Sequence, residues 1–328
     1  MMRIGLIGAG RIANVHARTL HQTDDATLVA VTDPDDEACE ALASKYGLKR
    51  HESADTMFAD DEIDAVVICS PTPQHIEHIL GAARAGKPAL CEKPVAMETS
   101  SVEKLNKDLE GLDPIVMLGF NRRFDPSFAR VHELATAGAV GKIEQVTIIS
   151  RDPAAPPREY IATSGGIFKD MTIHDFDMAR FFLGDIVSVA AIGQNLDPEL
   201  ADTGDFDGAV ITLTNAEGAA ATIVNSRHCA SGYDQRLEVF GCSGTLEADN
   251  LRPTTVRISG RDTTAGMDPY LDFFLTRYEA AYARELDEFL SAIAEGRTPS
   301  PNIEDGAKAL RIAEAAEESA RTGTIVTL

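Results

Sequence analysis

"RIGLIGAGRIANVHARTL", residues 3–20, opens with the apolar residues Ile4, Leu6 and Ile7, a run of the length of a buried strand. It then turns through Gly8, Gly10 and Ala13 into a segment with helical apolar spacing. The pattern is G-x-G-x-x-A, the fingerprint of a dinucleotide-binding strand–turn–helix. Each residue type has a physical reason. Gly8 permits the tight turn, Gly10 lets the main chain approach a pyrophosphate, and Ala13 keeps the helix close to the sheet. Arg11 and Ile12 complete the first helical turn, whose unpaired N–H groups face the phosphates.

The context supports this reading. A second strand, "TLVAVTDP", ends in Asp33, 23 residues after Gly10. A carboxylate there accepts both adenosine ribose hydroxyls and repels a 2′-phosphate, and the following "PDDEA" offers no arginine for one. The expected cofactor is therefore NAD, not NADP. Strands and helices go on alternating through "EIDAVVICSPTPQH", helix "HIEHILGAARAGK", strand "PALCEKP", helix 99–110 and strand "PIVMLGF". That grammar describes a doubly wound parallel sheet over residues 1–120, with its ligand at the carboxyl ends of the strands. Ser70, Thr72, His75, Glu92 and Lys93 occupy such ends and are expected to line the cofactor site.

At 328 residues the chain is long enough for about two domains. With 44% hydrophobic and 25% charged residues it has ordinary globular composition. A net charge of −22 argues against nucleic acid or an anionic membrane as partner, because both would be repelled. No apolar run reaches the length of a membrane span, and the start lacks the features of a signal peptide. The five cysteines are scattered, without metal-ligand spacing, and fit reduced thiols in a cytoplasmic protein.

After residue 120 the pattern changes. Alternating strands such as "KIEQVTIISRDP", "VSVAAIGQNL", "DGAVITLTN", "AAATIVNSRH" and "QRLEVFGCSGTLEAD" indicate an α+β domain over residues 121–328, with a largely antiparallel open sheet. One face of that sheet is packed, and the other is free to serve as an oligomer interface. Within this half lies "GGIFKDMTIHDFDMARFFLG", residues 165–184. Asp170, His174 and Asp177 recur at intervals of four and three, so on a single helix they share one face. That pattern alone fits either a solvated acidic helix face or a convergent site.

Taken in order, "GLIGAGRIA", "CEKP", "GFNRRFDP", "GGIFKDMTIHDFDMARFFLG" and "SGYDQRLEVFG" resemble the glucose-fructose oxidoreductase/inositol dehydrogenase/rhizopine catabolism family over nearly the whole chain. The likeness is nearest to its inositol 2-dehydrogenase members. The resemblance implies that Lys93, Asp170 and His174 are catalytic, and that Asn121, Arg122, Asp152, Asp177, Tyr233 and Tyr278 contact a polyol along with Asp170 and His174. It further implies oxidation of myo-inositol to 2-keto-myo-inositol with NAD, without a metal, in a homotetramer. His174 would act as general base, Asp170 would orient it, and Lys93 would donate a hydrogen bond to the reacting oxygen. Two alternatives stay open: turnover of another cyclic polyol or sugar, and a cofactor-binding regulatory protein without turnover.

Overall fold

The computed structural model describes residues 1–328. The first elements are strand β1 (Met2–Ile7), helix α1 (Arg11–Gln22), β2 (Ala26–Thr32), α2 (Asp36–Tyr46), β3 (Lys49–Arg50) and α3 (Ala54–Phe58). Then come β4 (Ala65–Ile68), α4 (His75–Arg84), β5 (Ala89–Cys91), α5 (Thr99–Asp108) and β6 (Val116–Leu118). These strands form one six-stranded sheet in the order β3-β2-β1-β4-β5-β6, with every neighbouring pair parallel. The parallel pairing is what the alternation predicts, and the order is that of a doubly wound dinucleotide-binding sheet. Apart from the exposed edge strand β3, Lys49–Arg50, the strands are short and mostly apolar. Val66, Val67 and Ile68 are fully buried, as a parallel sheet covered by helices on both faces requires.

The chain continues through α6 (Pro126–Thr136), β7 (Ile143–Arg151), α7 (Arg158–Ser164), α8 (Gly166–Asp170) and α9 (Ile173–Leu183). Next are β8 (Ile186–Gln194), β9 (Gly208–Asn215), β10 (Ala220–Ser226), β11 (Asp234–Gly241) and β12 (Gly244–Ala248). The short strands β13 (Arg257–Ile258) and β14 (Gly266–Met267) pair only with each other and stay outside the large sheet. The last elements are α10 (Phe274–Arg277), α11 (Glu279–Glu295), α12 (Ile303–Thr322) and β15 (Val326–Thr327). The large sheet has the order β12-β11-β7-β10-β9-β8-β15. Its pairs are antiparallel except β7 with β10, which run parallel. The turns "NAEG", residues 215–218, and "GCSG", residues 241–244, carry the turn residues of hairpins and close β9–β10 and β11–β12. One sheet face packs on Phe176, Ala179 and Leu183 of α9, while Ile192, Val210 and Phe240 are exposed.

The chain forms two compact units, Met1–Phe124 with Glu279–Leu310, and Asp125–Tyr278 with Arg311–Leu328. A single carboxyl-terminal domain from residue 121 onward is therefore not how the chain divides. Helix α11 returns to the first unit because Leu286, Phe289 and Leu290 on its apolar face join the core of Leu6, Ala13 and Val67. No helix is long and apolar enough to cross a membrane.

Candidate active site

In the first unit the glycine turn is built as its residue types require. Gly8 has φ +107°, and a Cβ there would lie 2.6 Å from the main-chain oxygen of Cys69. Only glycine tolerates both conditions. Gly10 caps α1, has no side-chain capping bond, and faces open space: a Cβ on it would meet nothing within 4 Å. The first turn of α1 contains no acidic residue, so its N–H groups stand ready for an anion. Ala13 is fully buried against the sheet, whereas Arg11 is exposed and Ile12 half-buried. Asp33, at the tip of β2, accepts from Ala9 N at 2.6 Å and from Asp35 N at 2.8 Å. Its carboxylate is thus tied to the glycine turn. An open Gly10, an uncapped helix end and a fixed carboxylate together fit a dinucleotide.

The neighbouring strand tips are tied together by side chains. His75 is buried, with Nε2 2.8 Å from the oxygen of Ser70 and Nδ1 2.7 Å from the oxygen of Pro94. Burial pulls the pKa of this imidazole down. Ser70 Oγ meets His78 Nδ1 at 2.9 Å, and Thr72 opens the short turn leading into α4. Glu92 points inward: its Oε1 lies 2.7 Å from Nε2 of the buried His16, and a Cβ on Gly119 would lie 2.9 Å from its other oxygen. Lys93 follows it half-buried, joined to Pro94 by a cis peptide. Asn121 and Arg122 belong to the same unit and are almost fully buried.

The second unit holds the remaining candidates. Asp152 follows β7 directly, and Arg227 follows β10 directly. Because those two strands are parallel neighbours, with Arg151 opposite Ser226, both residues emerge side by side at the carboxyl end of the pair. Asp152 N bonds Ser226 O at 2.8 Å. Asp177 is buried on α9, and Tyr233 and Tyr278 are buried with ring centroids 6.1 Å apart. The hydroxyl of Tyr278 donates to Gln235 Oε1 at 3.3 Å.

The expectation that Asp170 and His174 share one helix is corrected. Asp170 ends α8, His174 lies in the first turn of α9, and the helix is interrupted between them at Met171 and Thr172. A distant residue is bonded at the interruption. The hydroxyl of Thr172 donates to Asn225 Oδ1 at 2.7 Å, and Asn225 Nδ2 donates to Asp175 at 2.8 Å. Asp175 is therefore a buried structural acid, while Asp170 and His174 stay half-buried. Around Asp170 stand three residues that the sequence reading did not single out. Tyr160 donates to Asp170 Oδ1 at 2.9 Å, Arg227 Nη2 lies 3.8 Å from Oδ2, and Asp205 pairs with Arg227 at 2.6 Å.

A parallel sheet with an open glycine turn and a carboxylate fixed beside it defines a dinucleotide-binding protein. Comparison with known proteins gives the family. Residues 2–120 match the model described as "Oxidoreductase family, NAD-binding Rossmann fold", and residues 128–247 match the GFO/IDH/MocA C-terminal domain. The chain belongs to this family, and its cofactor is NAD. It is 47% identical over 320 residues to an inositol 2-dehydrogenase of Rhizobium meliloti, covering 97% of this chain and 96% of that one. A solved myo-inositol dehydrogenase from Corynebacterium glutamicum superposes with TM-score 0.97 at 50% identity, covering 100% and 99% of the two chains. A scyllo-inositol dehydrogenase from Lactobacillus casei, solved with NAD(H) and scyllo-inositol, matches with TM-score 0.93 at 29% identity, covering 100% and 99%.

Proposed function

We propose that this enzyme oxidises myo-inositol to 2-keto-myo-inositol. The observation that carries the reading is likeness along the full chain to enzymes acting at the same position of inositol. NAD, when bound, accepts the hydride from the reacting carbon, and the chain supplies position and proton handling. His174 takes the hydroxyl proton as general base, a task for which imidazole is suited near neutral pH. Asp170 orients that imidazole and balances its charge. Lys93 donates a hydrogen bond to the reacting oxygen as negative charge builds there. Asn121, Arg122, Asp152, Asp177, Tyr233 and Tyr278 bind the remaining hydroxyls, a mixed donor and acceptor set that a neutral polyol needs. Gly8, Gly10, Arg11, Ile12, Ala13, Asp33, Ser70, Thr72, His75 and Glu92 serve the cofactor, directly or by shaping its loops.

The free sheet face, with Ile192, Val210 and Phe240 exposed, supports assembly into a homotetramer. Five free thiols fit a reducing cytoplasm. A second reading, scyllo-inositol as the preferred isomer, draws support from the Lactobacillus casei relative with that polyol bound. NADH formation across a panel of inositols and aldoses tests both readings. Myo-inositol should give the highest kcat/KM. A higher value with scyllo-inositol would favour the second reading, and turnover of glucose alone would overturn both. No NADH with any polyol would favour a regulatory protein instead.

A further inference from the structure

Arg227 is 1% exposed and among the largest fully buried side chains of the protein. A buried guanidinium needs a partner, and Asp205 supplies one: Nη1 donates to Asp205 Oδ2 at 2.6 Å and to the oxygen of Phe206 at 3.3 Å. That pair alone would neutralise the charge. The other terminal nitrogen, Nη2, has no hydrogen bond and lies 3.8 Å from Asp170 Oδ2. The separation is too long for a hydrogen bond but short for two charges in a buried setting. Lysine would offer a single point charge, whereas the rigid arginine fork can address two carboxylates at once.

Asp205 is itself fixed. Its Oδ1 accepts from Ile167 N at 3.0 Å, at the start of the helix that ends in Asp170. It reaches that position across Gly166, where φ is +83° and a Cβ would lie 2.8 Å from the carboxylate. The glycine, Asp205 and Arg227 therefore form a frame tied to both ends of α8. The second oxygen of Asp170 is held by the Tyr160 hydroxyl.

We propose that Arg227 is a positioning residue, a fixed positive charge locked by Asp205 that orients Asp170 and sets how strongly the Asp170–His174 pair holds a proton. This rests on the reading of Asp170 and His174 as the proton-handling pair. The guanidinium draws on the carboxylate's charge, so less of it is left to stabilise an imidazolium at His174. Other titratable or charged groups on adjoining elements of this unit include Tyr160 of α7, Arg151 of β7 (paired with Asp234) and Asp152 after it, the buried Asp175 and Asp177 and the Asp185-paired Arg180 of α9, and Lys169, which lies 3.9 Å from Glu317. None of them replaces a buried guanidinium locked beside Asp170.

The test is the pH profile of NADH formation with NAD and myo-inositol in Arg227→Met and Arg227→Lys. Melting temperature and NADH titration by fluorescence are measured alongside. Arg227→Met should lower kcat at least tenfold, change the NADH Kd less than twofold, and move the acidic limb of kcat to higher pH. Arg227→Lys should keep the limb at its wild-type position even where kcat falls. If Arg227→Met does not fold, Arg227→Gln combined with Asp205→Asn strands no buried charge and should move the limb in the same direction. A folded Met or double variant with wild-type kcat and an unmoved limb would overturn the proposal. Asp170→Asn separates the two layers. If it is inactive while the Arg227 variants behave as wild type, this inference alone fails. If Asp170→Asn turns over normally, the reading beneath it fails.

Discussion

The two compact units build their functional surfaces from different parts of the chain. In the first, the groups proposed to hold NAD are mostly main chain: the turn at Gly8, the open face of Gly10 and the N–H groups at the start of α1, with one side chain, the Asp33 carboxylate held by Ala9 N. In the second they are side chains, and each depends on distant neighbours. Asp170 is framed by Tyr160, Arg227 and Asp205, and Thr172, at the interruption before His174, is bonded to Asn225. A main-chain site is specified locally and is insensitive to most side chains around it. A side-chain site inherits the geometry of the whole unit, and can be lost through residues that never touch substrate.

The largest expected effect separates chemistry from cofactor binding. His174→Ala should lower kcat by roughly 10²–10⁴-fold, the usual contribution of general acid–base catalysis, while leaving NADH affinity intact. Lys93→Met, which keeps most of the stem and removes the charge, should be nearly as inactive with a moderate loss of NAD affinity. The comparison breaks if folded His174→Ala retains near-normal kcat. A solvated histidine would be worth within about ±0.5 kcal/mol and would leave turnover alone.

The next effect lies in the first unit. Asp33→Ala removes an acceptor whose bonds to ribose hydroxyls are charge-assisted, worth about 1.5–3 kcal/mol. We expect kcat/KM for NAD to fall about 10- to 100-fold by the same figures, with a smaller change for NADP. The ratio of the two specificity constants should therefore narrow. Wild-type enzyme that uses NADP as well as NAD would remove Asp33 as the discriminating group.

The same division explains what could be read from the sequence. Gly8, Gly10 and Asp33 were legible because each answers a local requirement of one turn or one strand end. The alternating strands and the hairpins at "NAEG" and "GCSG" were legible because their period and turn residues are local too. The return of α11 to the first unit was not: Leu286, Phe289 and Leu290 mark an apolar face without naming the surface it covers. The break between Asp170 and His174 was hidden because a spacing of four is what a continuous helix would give. Glu92 read as a cofactor residue at a strand tip, yet its carboxylate is committed to His16, far away in sequence. Arg227 did leave one signal, a cation directly after an alternating strand in a strongly acidic chain. That signal gains meaning only once the parallel pairing of β7 and β10 is known.

Two glycines of one motif sharpen the contrast at a smaller scale. Gly8→Ala forces a positive φ and drives a Cβ to 2.6 Å from a main-chain oxygen. It should cost about 1–3 kcal/mol of stability, read as a lower melting temperature. Gly10→Ala meets no atom within 4 Å and has an ordinary φ of −72°, so stability should stay within about ±0.5 kcal/mol. Its NADH affinity should nevertheless fall, because the new methyl group occupies the space the pyrophosphate needs. Equal melting temperatures for the two variants would contradict the turn geometry, and unchanged NADH affinity in Gly10→Ala would contradict the phosphate assignment.

The smallest effect concerns an acid that the proposed chemistry does not use. Glu285, on α11 in the first unit, is fully buried, and neither carboxyl oxygen has a hydrogen-bond partner. Burial, and next the negative charge of Glu92, push its pKa well above the ordinary value of 4.5. The folded protein therefore keeps this proton at pH values where the unfolded chain has released it. Stability that depends on it is fully present below pH 4.5 and is lost as pH rises toward the folded pKa. Glu285→Gln keeps the shape of the neutral acid and has no proton to lose. The melting temperature of the variant relative to wild type should thus climb as pH rises above the ordinary value of 4.5, where the unfolded glutamate is ionised and the folded one keeps its proton. Parallel melting curves across that range would show that Glu285 is charged in the folded protein. Its partner would then have to be sought next to the His16–Glu92 pair, where a second buried charge would have to be balanced.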